Sequence, residues 1–319
     1  MRQINEKQAS LIEAVVIESA LGGLKASILE KDIHVTEALH ALFAMQFAHI
    51  DLVFCGGTSL SKAHGIIERM SEDVDVKVVL SNTHGMSRNG LKNHLSSFKQ
   101  AVEKQMLNLG FVPDPAGQLA RNENRYVATR WLYNSRYGVD SSLRPYLSLE
   151  YTVRTPQFAT QPVPITYLVD RLAGQSGASQ AIRCVAVAET LAEKVLSFLR
   201  RHAQHRAGQM RANWDTALVR HIYDVYCIAM HQPQALAQAQ TRFADLVAFD
   251  VQEFQHHAEF VANPKATMLQ ALALAEDEPQ TRSEYQHVLL PLVYGANKPP
   301  FAAAFEVFKR SSLALLATL

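Results

Sequence analysis

Two short motifs constrain the fold of this chain more than any other feature. The first is a Gly-Gly-Thr-Ser turn at residues 56–59, between a short apolar run and a helical pattern. The second is the pair Asp73 and Asp75, which begins a run of alternating valines. Because residues i and i+2 of a strand share one face, this pattern predicts a strand with both carboxylates on its open face and its valines in the core.

The two aspartates need a positive partner. Their carboxylates lie about 6–7 Å apart by the rise of a strand, so they repel each other unless a cation lies between them. Mg²⁺ prefers one or two carboxylates together with substrate phosphates. The Gly-Gly turn adds backbone N–H groups and a helix N-terminus, which suit a phosphate. We therefore predict metal-dependent phosphoryl or nucleotidyl transfer; the alternative is an exposed strand face with solvated acids.

These motifs resemble a known enzyme signature. Residues 56–60, followed by Asp73-x-Asp75, resemble the Gly-Gly/Ser turn and Asp-x-Asp of the DNA polymerase β-like nucleotidyltransferases. More closely, the chain resembles the AbiEii/AbiGii toxin family within that superfamily. Further stretches that resemble motifs of this family are residues 30–36, 67–69, 192–194, 220–224 and 293–295. The match spans most of residues 25–310, with one departure at Cys55, where a polar residue is expected.

The patterning predicts an α+β protein in two parts. Residues 1–178 are expected to form a nucleotidyltransferase-like mixed sheet with helices. Residues 179–319 are expected to form an all-helical domain that closes the nucleotide cleft, since strand signals stop near residue 185. Residues 174–177, Gly-Gln-Ser-Gly, suit a linker. The strands in the first part are predicted at residues 51–55, 73–80, 125–134, 145–154 and 165–169.

A third carboxylate usually completes such a site, and Glu150 is the candidate. In the strand around it, Leu147 and Leu149 face the core, whereas Ser148 and Glu150 share the open face. The alternative for Glu150 is a cross-strand ion pair with an arginine, and Asp140 is the fallback third ligand. Asp73, Asp75 and Glu150 are therefore the predicted metal ligands, and the resemblance implies two Mg²⁺ ions.

The phosphate contacts are predicted around the Gly-Gly turn. Backbone N–H groups of Gly56, Gly57, Thr58 and Ser59 are the candidates, and either hydroxyl residue also suits the helix N-cap. Lys62 lies one helical turn after Ser59. It either reaches a phosphate or is a solvated surface lysine.

Three residues of the helical part enter through the resemblance. It implies that Lys194 contacts the triphosphate and that Asp224 orients Lys194 or contacts the nucleotide. Arg220 lies four residues before Asp224, on the same helix face. It either forms a structural ion pair with Asp224 or contacts a phosphate.

Two arginine-rich regions are candidates for contact with nucleic acid. Arginines alternate with tyrosines and a tryptophan between residues 121 and 154, a composition typical of stacking and phosphate contact. Amphipathic strands produce the same alternation. A second basic run covers residues 200–211 and could hold an RNA backbone.

Composition bounds the class of protein. The net charge of +1 on 319 residues does not indicate a general nucleic-acid binder. The three cysteines show neither zinc spacing nor a disulfide framework, which favours a reducing cytoplasm. The apolar run at residues 38–54 is interrupted by polar residues, so no membrane span is predicted.

The resemblance implies a function that residue chemistry alone does not. It implies a cytoplasmic toxin of a type IV toxin–antitoxin system, active in phage defence, with a separate antitoxin protein. The toxin would transfer a nucleotide from a nucleoside triphosphate to RNA, with the 3′ end of a tRNA as one acceptor, and release pyrophosphate. The alternatives are transfer to a protein hydroxyl and a nucleotide-binding regulatory protein without turnover.

Overall fold

The structure is a computed structural model. It describes residues 1–18, 24–81, 85–138, 143–210 and 214–319. The chain divides into two compact units, one of residues 1–65 and 69–185, the other of residues 66–68 and 186–319. The first carries a mixed sheet and the second is helical, which confirms the predicted α+β class. The division follows Val185 rather than residue 178, because the strand Gln180–Cys184 pairs within the first unit's sheet.

The sheet of the first unit has a central strand with unlike neighbours. Its strands are β1 (Ile50–Cys55), β2 (Asp73–Leu80), β3 (Val112–Pro113), β4 (Leu119–Arg121), β5 (Tyr126–Leu132), β6 (Tyr146–Val153), β7 (Gln161–Ile165) and β8 (Gln180–Cys184). Their order is β3-β5-β6-β2-β1-β8-β7, with β4 on β5. The central strand β2 runs antiparallel to β1 and parallel to β6.

The alternation predicted for β2 is confirmed. Val74, Val76 and Val78 are buried in the core. Asp73 and Asp75, on the opposite face, are only half-buried. A strand with one apolar and one polar face therefore crosses the middle of the sheet and presents its carboxylates at one end.

Helices cover the rest of the first unit. They are α1 (Glu6–Glu18), α2 (Ala26–Phe43), α3 (Gly56–Lys62), α4 (Arg88–Asn108) and α5 (Leu168–Leu172). Helix α3 stops shortly before Gly65, whose φ of +60° breaks helical geometry. The predicted strand at residues 165–169 is wrong. The strand is β7, which ends at Ile165; its two prolines are tolerated because β7 lies at the sheet edge.

Apart from short 3-10 and π-helical turns, the regular elements in the described residues of the second unit are α-helices. They are α6 (Val187–Arg206), α7 (Arg220–His231), α8 (Gln234–Gln240), α9 (Phe243–Glu253), α10 (Ala258–Ala262), α11 (Pro264–Asp277), α12 (Pro279–Glu284) and α13 (Phe301–Leu316). The long helix α6 packs against α7, α8, α11 and α13. None of the helices in the described parts of the chain has the length and apolar character needed to cross a membrane.

The motif at residues 67–69 contacts the motif at residues 293–295 through Glu68. The backbone N–H groups of Tyr294 and Gly295 donate to the carbonyl oxygen of Glu68, at 3.0 and 3.2 Å. A Cβ at Gly295 would lie 2.0 Å from Oε2 of Glu68, so only glycine fits this approach. These contacts explain why residues 66–68 belong to the second unit.

Candidate active site

The Gly-Gly turn and the second aspartate are in direct contact. Strand pairing sets Cys55 at the end of β1 opposite Asp75 of β2. The next residue, Gly56, has a φ of +76°, and a Cβ there would lie 2.0 Å from Oδ2 of Asp75. Gly56 is therefore required twice, for its backbone conformation and for the close approach of a carboxylate.

The parallel pairing of β2 and β6 brings the third carboxylate alongside. Asp73 is in register with Ser148, and Asp75 with Glu150. Residues in register on neighbouring strands point to the same face. Asp73, Asp75 and Glu150 therefore share the open face of the sheet, and each is half-buried.

Two of the carboxylates have partners that the sequence did not identify. Oδ1 of Asp73 lies 2.6 Å from a guanidinium nitrogen of Arg144. The phenol of Tyr126 donates to Oε2 of Glu150 at 2.9 Å. Burial, and then the charge of Glu150, raise the pKa of Tyr126, so the phenol stays protonated and remains a hydrogen-bond donor.

A divalent cation would suit the oxygen donors of these three carboxylates. As the side chains stand, no three His, Cys, Asp or Glu residues in the described chain form a group that could hold a metal. The chemistry nevertheless fits, because three carboxylates on adjacent strand positions supply the oxygen ligands that Mg²⁺ prefers. Asp73 would have to exchange Arg144 for the cation. Asp140, the fallback ligand, lies outside the described residues.

The hydroxyls of the turn make structural contacts. Helix α3 begins at Gly56 after Cys55 and has no side-chain cap, so the predicted N-cap at Thr58 or Ser59 is wrong. The Thr58 hydroxyl instead bonds to the hydroxyl of Ser71 at 2.9 Å and to the carbonyl of Asp73. These bonds tie α3 to the start of the strand that carries the aspartates. Gly57, Thr58 and Ser59 are all buried.

Lys62 differs from both predicted alternatives. Its ammonium is buried and lies 2.6 Å from Oδ1 of Asp32 on α2. The other oxygen of Asp32 accepts the N–H of Leu168 at 2.7 Å. Burial lowers the pKa of Lys62, and the charge of Asp32 opposes that shift. Lys62 is neither solvated nor directed at an open face, so it links α2 and α3 rather than presenting a charge to a phosphate.

A second buried ion pair holds the backbone of Arg144 in place. The ammonium of Lys31 lies 2.7 Å from Oε1 of Glu72, and both side chains are 1% exposed. The same Glu72 oxygen accepts the backbone N–H of Arg144 at 2.6 Å, while Lys31 donates to the carbonyl of Arg144 at 2.5 Å. Glu72 immediately precedes Asp73, so this pair fixes Arg144 relative to the first aspartate.

A sequence signal for these buried pairs exists. Glu30, Lys31 and Asp32 are consecutive charged residues in an apolar helix, and successive helical residues point about 100° apart. They cannot all reach solvent from a helix packed on one side. All three are buried with internal partners.

Within the second unit, two of the predicted site residues form a buried ion pair. The ammonium of Lys194 on α6 lies 2.6 Å from Oδ2 of Asp224 on α7, and the two side chains are 8% and 0% exposed. Arg220 is buried at the start of α7. The part of the basic run on α6 is largely matched by carboxylates: Arg200, Arg201 and Arg206 pair with Asp250, Asp215 and Glu278. This pairing does not favour an RNA-binding role for the run. Residue 211 of the run lies outside the described residues.

Comparisons with known proteins agree with the fold and the motifs. Residues 37–307 match the family model described as "Nucleotidyl transferase AbiEii toxin, Type IV TA system". A comparison with curated proteins gave no match. Among solved structures, the chain is similar to MenT4, the nucleotidyltransferase toxin Rv2826c from Mycobacterium tuberculosis H37Rv. The TM-score is 0.55 at 19% identity, over 98% of this chain and 90% of that one.

The likeness to the MenT4 structure extends the fold agreement to both units, because it covers nearly the whole chain. The family model in turn covers both the Asp73-x-Asp75 strand and the Lys194 and Asp224 helices. The chain therefore belongs to the AbiEii family of nucleotidyltransferase toxins of type IV toxin–antitoxin systems.

Proposed function

We propose that this toxin transfers a nucleotide from a nucleoside triphosphate to a hydroxyl of an RNA, using a divalent cation bound by Asp73, Asp75 and Glu150. The observation that carries the proposal is the register of β2 and β6, which sets Asp75 beside Glu150 on an open face. A cation bound there would neutralise phosphate charge and lower the pKa of the attacking hydroxyl.

The residues of the chain hold the ligands in place. Gly56 packs against the Asp75 carboxylate, and Tyr126 donates to Glu150. Both contacts restrict the carboxylates before any substrate binds, which favours positioning over rearrangement. In the transfer, the RNA hydroxyl oxygen would bond to the α-phosphorus, the bond to pyrophosphate would break, and the hydroxyl proton would be released.

The role of the second unit is part of the proposal. The family resemblance assigns a triphosphate contact to Lys194, and its ion pair with Asp224 is consistent with the role of Asp224 in orienting Lys194 that the resemblance implies. An antitoxin partner follows from membership of a type IV toxin–antitoxin family.

An RNA acceptor, such as the 3′ end of a tRNA, is proposed from the resemblance. Backbone N–H groups near Gly57 remain the proposed phosphate contacts.

A labelling experiment tests the proposal. Purified protein is incubated with total RNA, Mg²⁺ and each α-³²P nucleoside triphosphate in turn. We expect labelled RNA with the wild type and at least a hundredfold less with Asp73→Asn or Asp75→Asn, since both changes keep the volume but remove a metal-binding charge. Asp51→Asn is the matched control, because Asp51 is exposed on the same sheet.

The alternatives give different results in the same assay. Label that appears on protein and resists ribonuclease would point to a protein acceptor instead of RNA. Tight Mg²⁺-dependent nucleotide binding without pyrophosphate release would favour a regulatory protein. Equal labelling by wild type and both aspartate variants would refute the assignment of the metal ligands.

A further inference from the structure

We propose that Arg144 exchanges between two anionic partners during the reaction cycle. It binds Asp73 while no divalent cation is present, and it binds the nucleoside triphosphate once a cation has taken Asp73. This inference rests on the proposed function and adds a substrate-binding residue that the sequence motifs do not include.

The backbone of Arg144 is held in position independently of its side chain. Its N–H donates to Glu72 and its carbonyl accepts from Lys31, two residues that form a fully buried ion pair. Glu72 is covalently adjacent to Asp73. The base of the arginine is therefore fixed beside the first metal ligand, and only the side chain is able to change partner.

The guanidinium is in a position that allows the exchange. The side chains of Arg144 and Asp73 are 34% and 25% exposed, although their atoms are 2.6 Å apart. Because it is partly exposed, this ion pair is screened by solvent more than the buried pair Lys31–Glu72 is. A planar guanidinium suits phosphate oxygens, to which it can donate two parallel hydrogen bonds.

A cavity adjoins Arg144. Arg144 lines an open cavity of about 220 Å³ together with Tyr133, Asn134, Ser135 and Pro145. The same face of the sheet also carries the carboxylates of Asp75 and Glu150. A divalent cation on the three carboxylates would repel the guanidinium, and an incoming triphosphate would attract it.

The first test measures cation binding without nucleotide. Mn²⁺ is titrated into wild type, Arg144→Ala, Arg144→Lys and Arg88→Ala, and free Mn²⁺ is followed by electron paramagnetic resonance. We expect Arg144→Ala to bind Mn²⁺ about threefold to tenfold more tightly, because a half-exposed ion pair no longer competes for Asp73. Arg144→Lys should keep most of the competition. Arg88→Ala removes an equal charge from an exposed pair with Glu123 and should match wild type.

The second test adds a non-hydrolysable triphosphate analogue in the presence of Mn²⁺. Here we expect the opposite sign: Arg144→Ala should bind the analogue about tenfold more weakly, the effect of losing a hydrogen bond between charged groups. Melting curves check folding, and the buried bonds of Arg144 survive the substitution because they use its backbone. Unchanged or weaker Mn²⁺ binding by Arg144→Ala, or unchanged analogue affinity, would overturn the proposal.

The outcomes also separate this inference from the proposed function. If the wild type binds Mn²⁺ no better than Asp75→Asn, the metal site itself is wrong and the exchange fails with it. If Asp75→Asn loses Mn²⁺ binding but Arg144→Ala does not gain it, the site stands and only the exchange is refuted.

Discussion

Gly56 is required both for its backbone conformation and for its contact with a predicted metal ligand. Its φ of +76° favours glycine, and the carboxylate of Asp75 occupies the space where a side chain would begin. The Gly-Gly turn was predicted to cradle a phosphate. The structure adds a second reason for its first glycine, which is the seating of a predicted metal ligand against the turn.

This dual role predicts the effect of Gly56→Ala. Gly65 supplies a matched control, because it also has positive φ but nothing lies within 4 Å of the position of an added Cβ. We expect Gly65→Ala to cost about 1–2 kcal/mol of stability, the cost of a left-handed conformation alone. Gly56→Ala should cost more and also reduce nucleotidyl transfer about a hundredfold, since Asp75 must move by an ångström or more.

Urea denaturation and the RNA-labelling assay measure the two effects. Equal losses of stability and full activity in both variants would show that Asp75 does not depend on its contact with Gly56.

At the scale of elements, helix α2 organises the first unit through three consecutive charges. Glu30 accepts from the hydroxyl of Ser135 and the N–H of Arg136, Lys31 pairs with Glu72, and Asp32 pairs with Lys62. One helical turn therefore fixes a loop, the start of β2 and the end of α3. Such buried pairs add little net stability, but removing one member leaves an uncompensated charge.

The Lys31–Glu72 pair gives a prediction at this scale. We expect Lys31→Met to cost about 3–5 kcal/mol of unfolding free energy, because Glu72 is left buried and charged. The double variant Lys31→Met with Glu72→Gln should recover a large part of that loss. Lys309→Met is the control, because Lys309 pairs with Glu276 at the surface, at 36% and 39% exposure, and should cost less than about 1 kcal/mol.

The measurement is urea denaturation of all four proteins at pH 7.5. A double variant as unstable as Lys31→Met would mean that the lysine packs rather than neutralises, and the charge argument would fail.

At the scale of the whole molecule, buried histidines predict sensitivity to acid. Burial is the main cause that lowers the pKa of five histidines: His34, His40, His64, His202 and His257. For His34 the pKa falls from 6.5 to about 3. Between these values the unfolded chain binds a proton that the folded chain excludes, so stability falls as the pH drops below 6.5.

We expect the unfolding free energy to decrease between pH 7 and pH 5, with a slope that approaches about 1.4 kcal/mol per pH unit near pH 5 for each histidine that stays neutral. His34→Phe should reduce this slope by the contribution of one proton. Phenylalanine suits the site, because the imidazole packs against two aromatic rings. Its ring centroid lies 4.3 Å from that of Tyr133 and 5.9 Å from that of Phe111. Urea midpoints at several pH values measure the slope, and parallel slopes for the two proteins would contradict the prediction.

Several predictions that rest on local sequence patterns agree with the structure. The alternating valines of β2, the carboxylates on its other face and the change from sheet to helices near residue 185 all follow from side-chain periodicity. Errors arose where a residue's role depends on a distant partner. Lys62 looked like a surface or phosphate-binding lysine because nothing nearby in sequence indicates Asp32, thirty residues earlier.

The sequence by itself determined the family, the α+β class and the strand that carries Asp73 and Asp75. These features rest on short-range periodicity and on motif order, which a chain displays without folding. Only the tertiary structure decided that Asp75 lies against Gly56, that Glu150 is in register with Asp75, and that Arg144 contacts Asp73. These contacts depend on strand register and on buried charge pairs between distant segments, and the free energy of such pairings exists only once the whole sheet has assembled.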